Sequence, residues 1–439
     1  MGRHDSIDRV GTDDVMSLVS DRQDPPLQVG VMLLLDVRKG HDPVQLKEAL
    51  THRLAAVPRL RQRLINVPIG CGRPVWVDYP EFRIEDHFAA VLRAAPTDEE
   101  AVLRIAADLL TTRLPRDRPL WAARLVTGVG HDQAALLVVF HHVLADGVAG
   151  LSLLGSLVDG VVATADFGFP RPAPAVTGLA LDALRDRFRS VLRLPAAATR
   201  LGAAFTELGP ALRTRAVPCS LNRPTGPRRH FLIVRSDMRR IVDLAHENAA
   251  TVNDLLLSAV THALHQLLAE RGEQLPALVV SMPVSSRGQA NVHELGNRSG
   301  VIPLLLPATG PFPARLAAIA SITRAAKSHQ RGASTAVLGP AFGLLAKLGL
   351  YQRFINHQRL IHTFVSNIKG PSAPLTLLGC PITDIVPLSV ASGNVTVSFT
   401  ALSYNRSLVI TIAADPDTCP DLDHLHQELQ HQLDILGAQ

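Results

Sequence analysis

Two adjacent histidines, followed by an aspartate and a glycine, are the residues of this chain best suited to chemistry. His141 and His142 open the segment His-His-Val-Leu-Ala-Asp-Gly, which ends in Asp146 and Gly147. The segment directly follows an apolar run, residues 134–140, that predicts a strand. A histidine at the end of a strand is held rigidly while its imidazole can face a cleft, and histidine exchanges protons near neutral pH. We therefore predict that His142 acts as a general base.

The two histidines should have different roles. Neighbouring side chains of a strand point to opposite sides, so we expect His141 to be structural. Asp146 can fold back in a tight turn to orient the imidazole or fix the loop, and Gly147 permits a close approach that a side chain would block. One alternative is a buried histidine pair satisfied by backbone groups. A second alternative is a metal site, but the sequence has no third His, Cys or carboxylate at a recognisable ligand spacing.

The composition predicts two domains without a membrane-spanning helix. A chain of 439 residues with 47% hydrophobic and 19% charged residues is too long for one ordinary core. No uninterrupted apolar run reaches about 18 residues, and the polar start does not resemble a secretory signal, so we expect a cytoplasmic protein. A net charge of +5 with two Trp and three Tyr does not suggest a nucleic-acid surface. The four cysteines lie far apart and predict buried thiols.

The first half of the chain reads as alternating strands and helices. Strands are predicted at residues 27–36, 121–127 and 134–140, and a buried helix at residues 147–162. A helix should begin after Asp42, because Pro43 suits its first position, and should stop before Pro58. A second helix is predicted after Thr97, with a capping box in which Glu100 returns a hydrogen bond to the Thr97 amide.

Proline and glycine mark the domain boundaries. Their density between residues 166 and 175 predicts that a first domain covers residues 1–165, and further prolines end a linker of residues 166–227. The second domain, residues 228–439, should contain helices at 252–268 and 313–329 and strands at 231–234, 277–282, 301–306, 395–402 and 407–413.

The linker contains a basic amphipathic segment. Its apolar stripe consists of Leu181, Leu184, Phe188, Val191 and Leu192. Its basic flanks consist of Arg185, Arg187, Arg189, Arg193 and Arg200. This composition suits a helix lying in an anionic membrane interface. The alternative is a linker helix that packs on the domains with its arginines in water.

The motif H-H-x-x-x-D-G resembles that of the thioester-dependent acyltransferases, which include chloramphenicol acetyltransferase and peptide-synthetase condensation domains. Further segments resemble the bacterial wax ester synthase/diacylglycerol acyltransferase family from about Asp13 to the C-terminus. They are Pro119-Leu120-Trp121, Asn253-Asp254, Pro283-Val284-Ser285 with Arg287, Leu295-Gly296-Asn297-Arg298, and Ser366-Asn367 shortly before Gly370-Pro371. The chain departs from the family at Ile368-Lys369, where Val-Pro is usual, which puts the shape of the loop predicted there in question.

The resemblance implies an α/β fold of two chloramphenicol acetyltransferase-like domains, each a mixed sheet flanked by helices, with a tunnel between them. It implies an O-acyltransferase that moves a long-chain acyl group from acyl-CoA to diacylglycerol or a long-chain alcohol, with no cofactor or metal. Because such acceptors dissolve poorly in water, we expect the protein to work at a membrane or lipid-droplet surface.

The resemblance also suggests roles for individual residues. Positions suggest Asn253, Ser366 and Asn367 as donors to the oxyanion, with the last two in a turn. Arg287 and Arg298 could contact the phosphates of coenzyme A. For the Pro119-Trp121 and Asn253-Asp254 elements, a packed indole and a capped helix end are the structural alternatives.

Two other functions fit the same fold. A condensation-type acyltransferase would take its acyl group from a carrier protein and share His142. A non-catalytic lipid-binding or droplet-coating protein would keep the fold alone, and the intact His142, Asp146 and Gly147 argue against it.

Overall fold

The computed structural model describes residues 7–21, 24–38, 42–92, 96–130, 132–144, 147–160, 168–192, 215–285, 299–329, 345 and 348–438. In the first half the elements are α1 (Thr12–Ser20), β1 (Gln28–Asp36), α2 (Pro43–Ala55), β2 (Gln62–Ile65), β3 (Val75–Asp78), β4 (Phe88–Val91), α3 (Glu99–Thr111), β5 (Trp121–Val129), β6 (Gln133–His141), α4 (Gly147–Gly155) and α5 (Val176–Leu192).

The second half begins with a strand and ends with a helix. Its elements are β7 (His230–Asp237), α6 (Met238–Glu247), α7 (Val252–Glu270), β8 (Ala277–Ser285), β9 (Ser299–Pro307), α8 (Phe312–His329), α9 (Tyr351–Asn356), β10 (Thr363–Lys369), β11 (Thr376–Leu377), β12 (Cys380–Ser389), β13 (Val397–Tyr404), β14 (Ser407–Ala414) and α10 (Leu422–Ala438).

Two six-stranded sheets organise the molecule. The first has the order β11-β12-β1-β6-β5-β4 and the second the order β7-β14-β13-β10-β8-β9. Both are mixed, since β4 runs parallel to β5 in the first sheet and β10 runs parallel to both β13 and β8 in the second. The expected architecture of two mixed sheets with helices is confirmed.

Buried side chains of the two sheets pack against each other. Met32 and Leu137 of the first sheet pack in one buried cluster with Phe231 and Val409 of the second. Arg235 of β7 donates to Asp384 of β12 over 2.8 Å and to Glu99 of α3 over 3.1 Å. Although burial alone would lower the pKa of Arg235, the two carboxylates raise it above its usual range. The guanidinium therefore stays charged and ties the sheets together.

The first sheet also contains strands from the second half of the chain. Strands β11 and β12 come from the segment after residue 228, and β12 pairs antiparallel with β1 from Val29↔Ser389 to Leu35↔Ile382. The predicted domain boundaries at residues 165 and 227 thus separate segments of the chain, but the first sheet contains strands from both sides of these boundaries. The C-terminal segment completes the first sheet and brings its own residues to the space between the sheets.

Most predicted elements are present, with ends shifted by a few residues. The Asp42 side chain caps α2 by accepting from the Val44 amide, as its Asp-Pro start predicts. The helix predicted at residues 147–162 is shorter, because α4 ends at Gly155.

The predicted capping box at Thr97 is wrong. Thr97 forms a β-bridge with Val129, so the cap moves to Asp98, whose side chain accepts from the Ala101 amide. Glu100 instead pairs with Arg104 one helical turn later.

Candidate functional site

A cavity of about 350 Å³ lies between the two sheets and contains the His142 side chain in its wall. Strands β1, β6 and β12 of the first sheet line the cavity together with helix α4, and strands β10 and β13 of the second sheet complete the lining. The lining is mainly apolar and includes Val29, Val31, Phe140, Leu151, Leu154, Phe364, Ile368 and Leu402. Such a lining is suited to bind a long hydrocarbon chain.

His142 is held at the end of β6 by its backbone. Its amide donates to the Leu27 carbonyl over 3.0 Å, at the point where β1 begins. The side chain is partly buried and lines the cavity. An imidazole at the rim of an apolar cavity can take a proton from a bound hydroxyl while bulk water is kept away.

His141 turns away from the cavity and is 2% exposed. Its Nδ1 accepts from the Val143 amide over 3.0 Å, which places the ring proton on Nε2, and Nε2 donates to the Asp21 carboxylate over 3.1 Å. Both ring nitrogens are therefore engaged within the protein. The two histidine side chains part as strand geometry predicts, and His141 is structural.

Asp21 is the centre of the network that holds both histidines. Its Oδ2 accepts from His141 and also from Arg113 over 2.7 Å and Arg116 over 2.8 Å, while its Oδ1 accepts from the Leu27 amide over 2.9 Å. The Leu27 carbonyl in turn accepts from the His142 amide. Asp21 thus positions His142 through one intervening residue.

The Asp21 carboxyl is ionised in this network. Burial by itself would raise its pKa, but the hydrogen bonds from His141, the Leu27 amide and Arg116 outweigh burial and hold the pKa well below its ordinary value. Sequence reasoning missed Asp21, because an aspartate between a helix and a strand is an ordinary loop residue.

Helix α4 begins at Gly147, directly after the histidine turn, and Asp146 lies outside the described residues. Gly150 of α4 lines the cavity against Phe140, and a Cβ on Gly150 would stand 2.6 Å from the Phe140 ring. Gly150 therefore permits the close packing of α4 on β6.

The Pro119-Leu120-Trp121 element supports the histidine strand from behind. The Leu120 carbonyl accepts from the His141 amide over 3.0 Å. Trp121 is 1% exposed, its indole donates to the Leu60 carbonyl over 2.7 Å, and its ring stacks on His87. Neither Pro119 nor Trp121 lines the cavity, so this element is structural.

The Asn253-Asp254 element lies at the start of α7 and also stays out of the cavity lining. Thr251 caps the helix, and Asp254 completes a capping box by accepting from the Thr251 amide over 2.8 Å. Asp254 also accepts from Thr323 of α8, and the Asn253 amide contacts the Met282 sulfur. The predicted capped helix end is present.

Ser366 and Asn367 do not form a turn, and that prediction is wrong. Both lie inside β10, which pairs parallel with β13 through Ser366↔Thr400 and Asn367↔Ala401. Because side chains alternate along a strand, Ser366 lines the cavity while Asn367 is exposed on the other side. The strand continues through Ile368, which lines the cavity, to Lys369, which is exposed.

The two arginines predicted to contact coenzyme A, Arg287 and Arg298, lie outside the described residues. Within the described part of the chain, no three His, Cys, Asp or Glu side chains are grouped closely enough to hold a metal ion. In the same part, no helix has the length and apolarity needed to cross a membrane.

Two family models match the chain. The wax ester synthase/diacylglycerol acyltransferase catalytic domain matches residues 11–256, and the corresponding C-terminal domain matches residues 295–437. The chain belongs to the wax ester synthase/diacylglycerol acyltransferase family. This family member is accordingly an acyltransferase.

Curated relatives match it over most of their length. A Mycobacterium tuberculosis protein named as a diacylglycerol O-acyltransferase is 29% identical over 95% of this chain and 88% of its own. A second protein from the same organism, also named as a diacylglycerol O-acyltransferase, is 27% identical over 94% of this chain and 91% of its own.

Solved structures show the same fold. The wax ester synthase/diacylglycerol acyltransferase from Marinobacter aquaeolei VT8 is 23% identical, with a TM-score of 0.71 over 98% of this chain and 100% of that one. The first condensation domain of the calcium-dependent antibiotic synthetase is 18% identical, with a TM-score of 0.66 over 99% and 96%.

Proposed function

We propose that this family member transfers a long-chain acyl group from acyl-CoA to the hydroxyl of diacylglycerol or of a long-chain alcohol, with His142 as the general base. The observation that carries the proposal is the position of His142 in the wall of an apolar cavity between the sheets, while His141 is fully engaged with Asp21 and Val143. The names of the mycobacterial relatives support the choice of diacylglycerol.

The proposed reaction needs one base and no covalent enzyme intermediate. Neutral His142 takes the hydroxyl proton as the alcohol oxygen attacks the thioester carbonyl carbon. The carbonyl oxygen becomes an oxyanion, for which Ser366 is the remaining candidate donor inside the cavity. The carbon–sulfur bond then breaks, the ester is released, and the coenzyme A thiolate takes the proton from the His142 imidazolium.

The test compares His142→Ala with a matched control, His52→Ala, whose side chain is exposed on α2. Purified proteins receive palmitoyl-CoA with dioleoylglycerol, with hexadecanol or with no acceptor, and both thiol release and ester product are measured. His142→Ala should lower ester formation by about two to four orders of magnitude, as expected for the loss of a general base. Near-normal ester formation by folded His142→Ala would refute the proposal.

Asp146, Arg287 and Arg298 enter the proposal from the sequence alone. We assign Asp146 to the turn after His142, and the two arginines to the phosphates of coenzyme A. Replacing either arginine by Gln should raise the KM for palmitoyl-CoA more than it changes kcat. A change in kcat or stability alone would assign the arginine to a structural ion pair.

We also propose that α5 binds the surface of an anionic membrane, where the lipid substrates reside. Leu181, Leu184 and Phe188 are 50%, 61% and 67% exposed, and Arg185 and Arg189 are exposed beside them. Leu179 and Ala183 are buried, so the helix packs on the protein through another, narrower face. Exposed apolar side chains flanked by arginines are complementary to anionic lipid.

Attachment of α5 to the protein supports this proposal. Asp182 accepts from Arg9 over 2.6 Å, and the Arg187 guanidinium donates to the Gly70 carbonyl. The apolar stripe predicted from the sequence is therefore presented outward on an anchored helix. Val191 and Leu192 end the helix, and their side chains, with Arg193 and Arg200, lie outside the described set.

Vesicle co-sedimentation tests this surface. Binding should increase with the content of anionic lipid and fall with added salt, because the attraction of the arginines is screened over about 8 Å at physiological ionic strength. Arg185→Gln with Arg189→Gln should weaken binding, whereas Arg239→Gln with Arg240→Gln, an exposed pair on α6, should not. Equal binding by both double variants would refute a membrane role for α5.

A further inference from the structure

Six of the residues that line the cavity carry hydroxyl groups, and four of these six lie on strands. These four are Ser366 of β10, the candidate oxyanion donor, and Ser389 of β12 with Ser398 and Thr400 of β13, the three that are here called the hydroxyl row. Ser366 and Thr400 are direct partners in the parallel pairing of β10 with β13, and Ser398 precedes Thr400 on the same face of its strand. Ser366 and the hydroxyl row thus form a polar strip in a lining that is mainly apolar.

Two members of the row are linked to each other. Ser389 Oγ and Thr400 Oγ1 are 2.6 Å apart, a hydrogen bond in which either hydroxyl can donate. The bond uses one of the two hydroxyl protons of the pair. Among the described residues no second acceptor is found for this pair, so one proton remains to be donated.

Ser398 is more unusual. It is 4% exposed, and within the described part of the chain its Oγ has no hydrogen-bond partner. A buried hydroxyl without a partner destabilises the protein, because the group loses its hydrogen bonds to water. Ser398 differs from Ser281, another buried hydroxyl without a partner among the described residues, because Ser398 lines the cavity, where a ligand can supply the acceptor.

The row therefore offers two hydroxyl protons to a ligand inside the cavity, one from the Ser389–Thr400 pair and one from Ser398. The matching ligand has two acceptor oxygens in an apolar molecule. The two ester carbonyls of a diacylglycerol meet this requirement, and a long-chain alcohol has no acceptor besides its reacting hydroxyl.

The position of the row relative to His142 suits such a ligand. Ser389 of β12 is the partner of Val29 in β1, and Val29 is the partner of Phe140 in β6, two residues before His142. These three side chains share one face of the first sheet, and two strand spacings of about 4.8 Å separate the outer pair. His142 and Ser389 thus approach the cavity from strands on either side of β1, and a diacylglycerol between them presents its hydroxyl to His142 and its ester carbonyls to the row.

We infer that the hydroxyl row binds the ester carbonyls of diacylglycerol and makes this enzyme select acylglycerol acceptors over simple long-chain alcohols. The inference rests on the proposed function, since it requires transfer to a hydroxyl at His142. It adds a specificity site, built from Ser398 and Thr400, to the general base.

The experiment measures kcat/KM for dioleoylglycerol and for hexadecanol, with palmitoyl-CoA as donor, in Ser398→Ala and Thr400→Val. Each variant should lower kcat/KM for dioleoylglycerol about three- to tenfold, as expected for one lost hydrogen bond, and leave hexadecanol unchanged. Thr400→Ser keeps the hydroxyl and should retain dioleoylglycerol activity. Ser398→Ala should not lower the melting temperature, because it removes a buried hydroxyl that has no partner among the described residues.

Ser281→Ala is the matched control. Ser281 is a buried serine of the same sheet whose Oγ also has no partner among the described residues, but it does not line the cavity. Its replacement should leave both acceptors unaffected.

Two results would overturn the inference. Equal losses of kcat/KM with both acceptors would mean that the hydroxyls contact the oxyanion or the acyl donor. Unchanged kcat/KM with both acceptors would mean that these side chains only shape the cavity. Failure of the proposed function is distinguishable, since in that case wild-type protein would form no ester with either acceptor or would keep its activity in His142→Ala.

Discussion

Replacing Asp21 by Asn should destabilise the protein and slow the reaction together, although Asp21 does not line the cavity. The carboxylate is 1% exposed and accepts from His141 Nε2 and the Leu27 amide on its two oxygens. An asparagine side chain has one acceptor oxygen and one NH2 group, so in either orientation a donor faces a donor. One buried N–H group therefore loses its partner.

The size of the destabilisation depends on which of the hydrogen-bond donors to Asp21 can bond to water instead. The Arg113 and Arg116 side chains are 37% and 49% exposed, so water can replace their contacts at little cost. The His141 side chain is 3% exposed and cannot recover its bond in this way. We expect a loss of about 2–4 kcal/mol in the free energy of unfolding, typical for removing a charged acceptor from buried donors.

The catalytic effect should appear in kcat. Because Leu27 connects Asp21 to the His142 amide, a shift of Leu27 misaligns the imidazole with the bound hydroxyl. Misplacement by up to about 1 Å predicts a fall in kcat of about 10- to 100-fold, with KM for palmitoyl-CoA little changed. Asp24→Asn is the control, since this neighbouring carboxyl is 65% exposed and contacts Arg113 at 3.4 Å.

The pH dependence of stability gives an independent check. The pKa of Asp21 in the folded protein lies below its ordinary value of 3.8. A depressed carboxyl pKa contributes stability that is fully present above the unfolded-state pKa and is lost as pH falls through the folded-state pKa. The difference in stability between wild type and Asp21→Asn should therefore shrink below about pH 4 in urea titrations. A constant difference down to about pH 2, or a kcat equal to that of Asp24→Asn, would refute the positioning role.

Two further substitutions test the packing behind the site. Trp121→Phe removes the indole donor to the Leu60 carbonyl and should lower the free energy of unfolding by about 1–3 kcal/mol, measured by urea titration. Gly30→Ala would place a Cβ 2.8 Å from the Val138 carbonyl oxygen, so the β1–β6 pairing must shift. It should cost about 1–3 kcal/mol in the same titration and reduce ester formation, and an unperturbed, fully active variant would contradict such a close approach of the two strands.

Local sequence determined the elements around the site and the catalytic candidate. Alternating and continuous apolar runs predict β5 and β6, Asp42-Pro43 predicts the start of α2, and the two histidines at a strand end predict one imidazole on each side. Each of these depends on nearest neighbours along the chain, which act through backbone geometry and through caps within one turn.

Tertiary structure decided what depends on partners distant in sequence. Thr97 pairs with Val129 and so leaves the helix cap to Asp98, and Ser366 becomes part of a strand because β13 lies beside it. Asp21 holds His141 across 120 positions, and β12 pairs with β1 from the other end of the chain. Such contacts leave no periodic signal in the sequence, because hydrogen-bond partners are chosen by proximity in the folded chain. The local sequence therefore points to His142 as the proposed base, and the fold supplies the Asp21 carboxylate that holds the backbone beside it and the hydroxyls that we propose bind the acceptor.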